Sequence, residues 1–305
     1  MDIYLPIAGM SVNALFIVAL GFLVGLLSGM FGVGGGFLTT PLLIFYGIPP
    51  TVAVASAATQ ITGASVSGVM VHMRRGGVDH KMGLVMIAGG LVGSVAGAAI
   101  FRLLQASGRI DVAIGFLYVI ILGAIGALLL KDSLVALGYV AIEPRKAEEE
   151  SKRATRWVST LPLRWRFQES GLLVSPLAPF ILGVIAGILT VFLGIGGGFI
   201  LVPAMIYLLG MPARVVVGTS LLMVLAVSAA TTMVHALTTE AVDVVLAVLL
   251  LVGGVVGAQY GALLALRTKP DLLRLALGII ILLVALRMLL GLAWRPDEIF
   301  SVELL

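Results

Sequence analysis

The chain has 305 residues, of which 60% are hydrophobic and only 11% charged, with a mean hydropathy of +1.18. Soluble domains carry about 25% charged residues, so a soluble fold is excluded, and the class is a polytopic helical membrane protein. The lack of Cys excludes disulfides and thiolate metal sites, and the net charge of +4 comes from basic residues gathered at the ends of apolar runs, which topology explains without nucleic acid.

In chain order the apolar runs fall at 12–31, 36–47, 51–73, 82–104 and 111–130, then at 177–194, 198–210, 212–237, 242–266 and 271–293. Met1 to Ser11 has no basic n-region, so the first run reads as a retained transmembrane helix. Most runs approach the ~20 residues that span a bilayer. The runs beginning at Phe37 and Phe199 are shorter and read as half-helices or re-entrant segments. Four blocks result: a transmembrane repeat at 1–131, a cytoplasmic linker at 132–175, a second repeat at 176–295 and a tail at 296–305. The linker sets Trp157, Leu161, Leu163, Trp165 and Phe167 among Arg156, Arg164 and Arg166. It reads either as an amphipathic helix on the inner leaflet or as a solvated connector.

The halves repeat each other. Gly32-Val33-Gly34-Gly35-Gly36-Phe37 with Pro41 returns as Gly194-Ile195-Gly196-Gly197-Gly198-Phe199 with Pro203, at an offset of 162 (194 − 32). Val78-Asp79 answers Val242-Asp243, and Gly89-Gly90 answers Gly253-Gly254, at an offset of 164 (243 − 79). Arg74, Arg75 and Lys81 put their loop on the cytoplasmic side, whereas the matching loop from Thr238 to Asp243 has neither Lys nor Arg. Matching loops on opposite sides predict an all-α fold of two inverted repeats, each of about five helical segments with a broken helix, and both termini outside.

Each glycine stretch breaks a helix at membrane depth, with Gly32, Pro41, Gly194 and Pro203 as the structural breaks. The freed N–H groups and positive helix end favour an anion, and glycine lets a ligand approach the backbone. The alternative is close helix packing through small residues. Candidate substrate contacts are Gly34, Gly35, Gly36, Thr39 and Thr40 in the first half and Gly196, Gly197 and Gly198 in the second. Thr59, Gln60, Thr219 and Ser220, on the next segments, are candidates to line a polar path; the alternative is hydroxyls bonded to their own helix. Ser67 and Ser228 fit that alternative. His72 and His235 are candidates for a proton or gate role, with an interfacial position as the other reading. Gln259 and Tyr260 are further candidates to face the path. No Asp or Glu is expected deep within a run, which argues against a carboxylate proton relay. No metal site, cofactor or catalytic cluster is expected.

Gly25-Leu26-Leu27-Ser28-Gly29-Met30-Phe31-Gly32 running into the first glycine motif, and Gly187-Ile188-Leu189-Thr190-Val191-Phe192-Leu193-Gly194 running into the second, resemble the paired motifs of the TauE/SafE sulfite exporter (TSUP) family. Gly218-Thr219-Ser220 resembles that family too; Ala55-Ser56-Ala57, its counterpart, departs from it. The resemblance implies a permease in the cytoplasmic (inner) membrane, not an enzyme. It implies as substrate a small sulfur-containing or organic anion such as sulfite, sulfoacetate or a related sulfonate, with a proton or sodium as a possible coupling ion. The other readings are an anion channel with a glycine-backbone filter and a non-transporting membrane subunit of a complex.

Overall fold

The computed structural model describes residues 2–31, 36–74, 76–137, 165–167, 169–265 and 270–293. Among them, ten helices and two short hairpins are formed. In the first half these are β1 (Asp2–Leu5), β2 (Met10–Asn13), α1 (Ala14–Phe31), α2 (Gly36–Phe45), α3 (Pro50–Arg74), α4 (His80–Ala106) and α5 (Ile110–Ala136). In the second they are β3 (Trp165–Phe167), β4 (Leu172–Val174), α6 (Leu177–Leu193), α7 (Gly198–Tyr207), α8 (Ala213–Thr238), α9 (Val244–Ala265) and α10 (Pro270–Ala293). The helices α3, α4, α5, α8, α9 and α10 are long and apolar enough to cross a membrane; α1, α2, α6 and α7 are shorter apolar helices. The fold is that of a polytopic all-α membrane protein. Leu15, Leu84, Leu103 and Leu237 point outward, as expected where lipid is the solvent.

The halves interlock. In α1, a Cβ added at Gly25 would lie 2.2 Å from the Gly254 carbonyl of α9, and at Gly29 2.1 Å from that of Ala258. The same close seam joins α4 to α6, where a Cβ at Gly93 would lie 2.1 Å from the Val184 carbonyl. Only glycine lets two backbones meet this way, and the contact maximises packing where water provides no drive. The rising registers show that α1 runs parallel to α9 and α4 parallel to α6. By contrast, α3 and α8 run antiparallel: Thr59 meets Thr232 at 3.4 Å and Thr62 meets Ser228 at 3.0 Å. So do α5 and α10, where Gly115 faces Leu292 and Gly126 faces Leu282.

Three cores follow from this arrangement. The central one gathers Phe37, Phe101, Tyr118, Phe192, Leu193 and Phe199. One end core holds Leu5, Leu43, Ile48, Val52, Leu246 and Leu250, and the other holds Phe167, Met205, Met211, Val215, Met82 and Met86. The hairpins are new relative to the sequence reading. Trp165 and Phe167 are strand residues of the β3–β4 pair rather than part of an amphipathic helix. Trp157, Leu161 and Leu163 lie outside the described residues, as does the 296–305 tail.

Candidate functional site

The second helix break is defined by its backbone. α6 stops at Gly194, whose φ of +63° is left-handed and whose N–H donates to the Thr190 carbonyl at 2.8 Å. Gly196 and Gly197 follow at φ +71° and +73°, and α7 then begins at Gly198. Three such residues in four would strain any side chain. Pro41 and Pro203 sit at the sixth position of α2 and α7, not in the first turn. Having no N–H, each leaves the carbonyl four residues back, Phe37 or Phe199, without its helical donor.

Both short helices turn back. Tyr46, just past α2, stacks on Phe16 near the start of α1, with ring centroids 4.8 Å apart and planes at 19°. Met205 near the end of α7 and Ala178 at the start of α6 share one end core with Phe167 of the β3–β4 hairpin. The expected broken helices are therefore present as helical hairpins. They meet tip to tip: Phe37 stacks on Phe199, its equivalent 162 residues on (199 − 37), at 4.6 Å and 6°. Ile61 of α3 is wedged between the breaks, with Cδ1 1.9 Å from a Cβ built on Gly36 and Cγ2 2.9 Å from one on Gly196. Ala186 and Thr190 close over Gly197, at 3.0 and 3.4 Å from its added Cβ.

Gly36, Gly196, Gly197 and Gly198 are buried together here, with Thr39 and Thr40 one turn further along α2. Gly32, Gly34 and Gly35 lie outside the described residues. The Thr40 hydroxyl donates to the Leu193 carbonyl at 3.0 Å, and the Tyr118 hydroxyl donates to the same oxygen. That carbonyl ends α6, and the two hydroxyls supply donors it lost at the break. Tyr118 and Thr190 belong to this centre and were not singled out in the sequence; neither lies in a glycine motif, although Thr190 stands four residues before one (194 − 190).

The residues expected along a polar path divide. Thr59 donates to its own helix at Ala55 (3.0 Å), and Ser228 does likewise at Val224 (2.6 Å). Ser220 donates to Val217 at 2.9 Å. Thr219 is drawn away from the breaks and accepts the Asp79 N–H at 2.9 Å. Gln60 faces the α1–α9 seam: its Nε2 donates to the Leu250 carbonyl at 3.4 Å and lies 2.9 Å from an added Cβ on Gly254. Its Oε1 is buried with no hydrogen-bond partner among the described residues. Gln259 and Tyr260 are exposed on the outer surface of α9 and do not face the interior.

His72 is half-buried near the end of α3. His235 is buried, 1% exposed. Its Nε2 lies 3.0 Å from the Val191 carbonyl and therefore carries the proton, and its ring meets Phe101 edge-on at 5.0 Å. No described Asp or Glu lies deep within a helix, but two carboxylates at helix starts are buried, which the sequence reading did not expect: Asp79 and Asp243 are 1% and 0% exposed. Each sits just before a helix, where backbone N–H groups stabilise it. No cluster of His, Asp or Glu able to hold a metal occurs among the described residues.

A bundle of apolar helices folded around two opposed helical hairpins fits a membrane transporter, in which irregular backbone is kept where it can meet a solute. Residues 17–288 match the family described as sulfite exporter TauE/SafE, and the chain belongs to that family, whose members are membrane transporters and not enzymes. It is 27% identical to a probable membrane transporter protein of Xylella fastidiosa, over 94% of this chain and 97% of that protein. It is 29% identical to the probable membrane transporter protein YjnA of Bacillus subtilis, over 90% and 98%. A shorter match, 33% over 25% of this chain, is to a sulfite exporter TauE/SafE family protein of Arabidopsis thaliana. No solved structure matches.

Proposed function

We propose that this transporter carries a sulfur-containing or organic anion, such as sulfite, sulfoacetate or a related sulfonate, across the cytoplasmic membrane. The anion binds between the paired breaks at Gly34–Thr40 and Gly196–Leu201. The observation that carries the reading is the Phe37–Phe199 stack, which sets two positive helix starts against each other in an apolar core. The antiparallel course of the equivalent helices α3 and α8 supports reading the halves as inverted repeats, with access alternating as they rock about the site. The linker is then cytoplasmic and both termini lie outside. Ile61, Ala186 and Thr190 packed against the glycines favour a carrier with a closed site over a channel with an open backbone filter.

The test is thermal stabilisation of the purified protein across sulfite, sulfoacetate, thiosulfate, sulfate and simple carboxylates. A bound anion at a hundredfold excess over Kd stabilises by about 2.7 kcal/mol. The expected result is a shift with a sulfur oxyanion that disappears in Gly197→Leu, while that variant remains folded in the membrane. No shift with any anion refutes the proposal.

A further inference from the structure

The two buried carboxylates make the same unusual construction at opposite ends of the bundle. Asp243 Oδ1 accepts the Leu246 N–H at 3.1 Å, capping α9, and Oδ2 accepts the Ile7 N–H from the turn of the β1–β2 hairpin at 3.1 Å. The Asp243 N–H donates to Ser56 Oγ of α3 at 3.2 Å. At the other end, Asp79 Oδ1 accepts the Met82 N–H at 2.9 Å, capping α4. Its Oδ2 accepts the Ser170 N–H from the turn of the β3–β4 hairpin at 3.1 Å, together with the Ser170 hydroxyl. Its N–H donates to Thr219 of α8. Ile7 and Ser170 are equivalent by the repeat (170 − 7 = 163), as are Ser56 and Thr219 (219 − 56 = 163).

Each carboxylate thus ties a hairpin, a helix start and a helix of the other repeat into one knot. Ser56 and Thr219 are the seventh residues of α3 and α8, so each knot is recessed about 9 Å from a helix end. The hairpins cap the two end cores through Leu5 and Phe167, both fully buried. A helix cap needs only one carboxylate oxygen, and in both copies the other oxygen is spent on the hairpin.

We propose that Asp79 and Asp243 are the gate latches of the transporter, each holding one hairpin closed over one entrance to the central breaks. The inference rests on the transport reading of those breaks. Both latches are engaged here, which defines a state closed at both ends. Transport requires one latch to release at a time, so that its hairpin lifts while the other stays tied.

The native chain contains no Cys, which permits a direct test in proteoliposomes. Single reporters Val52→Cys and Val215→Cys, buried in the two end cores, are probed with a membrane-impermeant thiol reagent. Asp243→Asn keeps the helix cap through its carbonyl oxygen but turns an N–H against the Ile7 N–H. A hydrogen bond to a charged group, once lost, shifts an equilibrium about tenfold or more. Labelling of Val52→Cys should therefore rise by about that factor from one face, with Val215→Cys unchanged. Asp79→Asn should do the converse from the opposite face, and more weakly, because the Ser170 hydroxyl can rotate and accept from the new amide. Ile7→Pro and Ser170→Ala loosen the same latches without touching either carboxylate and give the readout if an Asn variant does not fold. Exposure of both reporters by one variant, exposure from the same face, or no change in any variant overturns the proposal. Labelling needs no substrate, so the latches can fail while the anion site stands, or the reverse.

Discussion

The glycine seams make a quantitative prediction about what holds the halves together. Gly25→Ala places a Cβ 2.2 Å from the Gly254 carbonyl oxygen, where ordinary contact begins near 3.4 Å. The obstruction is backbone, so α1 and α9 must part by roughly 1 Å along a seam that also runs through Gly21 and Gly29. Overpacking of this kind costs about 1–3 kcal/mol. Alanine also gains about 1 kcal/mol of helix propensity over glycine, which obscures the cost in one variant alone. Gly123 of α5 supplies the control, because an added Cβ there meets nothing within 4 Å. The propensity gain is common to both substitutions, so the difference between them isolates the seam. At about 2–4 °C per kcal/mol, Gly25→Ala should unfold roughly 2–12 °C below Gly123→Ala in detergent. Melting temperatures within about 1 °C of each other would show that the backbones are not in contact, and the interlocked packing would be refuted.

Two further outcomes follow from the central core. Tyr118→Phe should lower stability by only about 1 kcal/mol, because Thr40 still donates to the Leu193 carbonyl; combined with Thr40→Val it should exceed the sum of the single variants, since the buried carbonyl then loses both donors. Additive losses in chemical or thermal unfolding would show that the two hydroxyls do not share that acceptor. Gln60→Met should leave stability unchanged or raise it by about 1 kcal/mol, as it removes a buried oxygen with no partner among the described residues, while reducing transport. A clear fall in melting temperature would mean that Gln60 is structural and its oxygen is satisfied.

Much of the architecture is legible because the bilayer imposes a long, simple signal. All ten apolar runs become helices, and even the short run after Gly36 ends near its expected place, at Phe45. The hairpins were not legible. Strands of three or four residues such as Trp165–Phe167 carry too little pattern to register, and the turn residues Ile7 and Ser170 act only through an aspartate far away in sequence. The repeat of Val78-Asp79 in Val242-Asp243 was visible, but not the second bond each carboxylate makes. The hydroxyls misled in a different way. Thr59 is polar and lies on a helix facing α8, yet the nearest acceptor is its own helix carbonyl at Ala55. In an apolar setting that local bond competes well with any distant ligand.

The same comparison separates scaffold from chemistry. Positions that hold the halves together are paired: Phe37 with Phe199, Ser56 with Thr219, Asp79 with Asp243, Gly90 with Gly254. Several polar positions near the centre are not, although Thr190 keeps a hydroxyl counterpart in Ser28 (190 − 28 = 162). Thr39 and Thr40 correspond to Leu201 and Val202, and Gln60 corresponds to Met223, all buried or half-buried. Gln60 rests on Gly254, and Met223 rests in the same manner on Gly90, with its Cε 2.9 Å from an added Cβ there. Duplication preserved the joint while one side lost, or the other gained, its hydrogen-bonding groups. On the first repeat's side those groups are already engaged, with the Thr40 hydroxyl on the Leu193 carbonyl and Gln60 Nε2 on the Leu250 carbonyl, so they brace the joint where the second repeat relies on apolar packing alone.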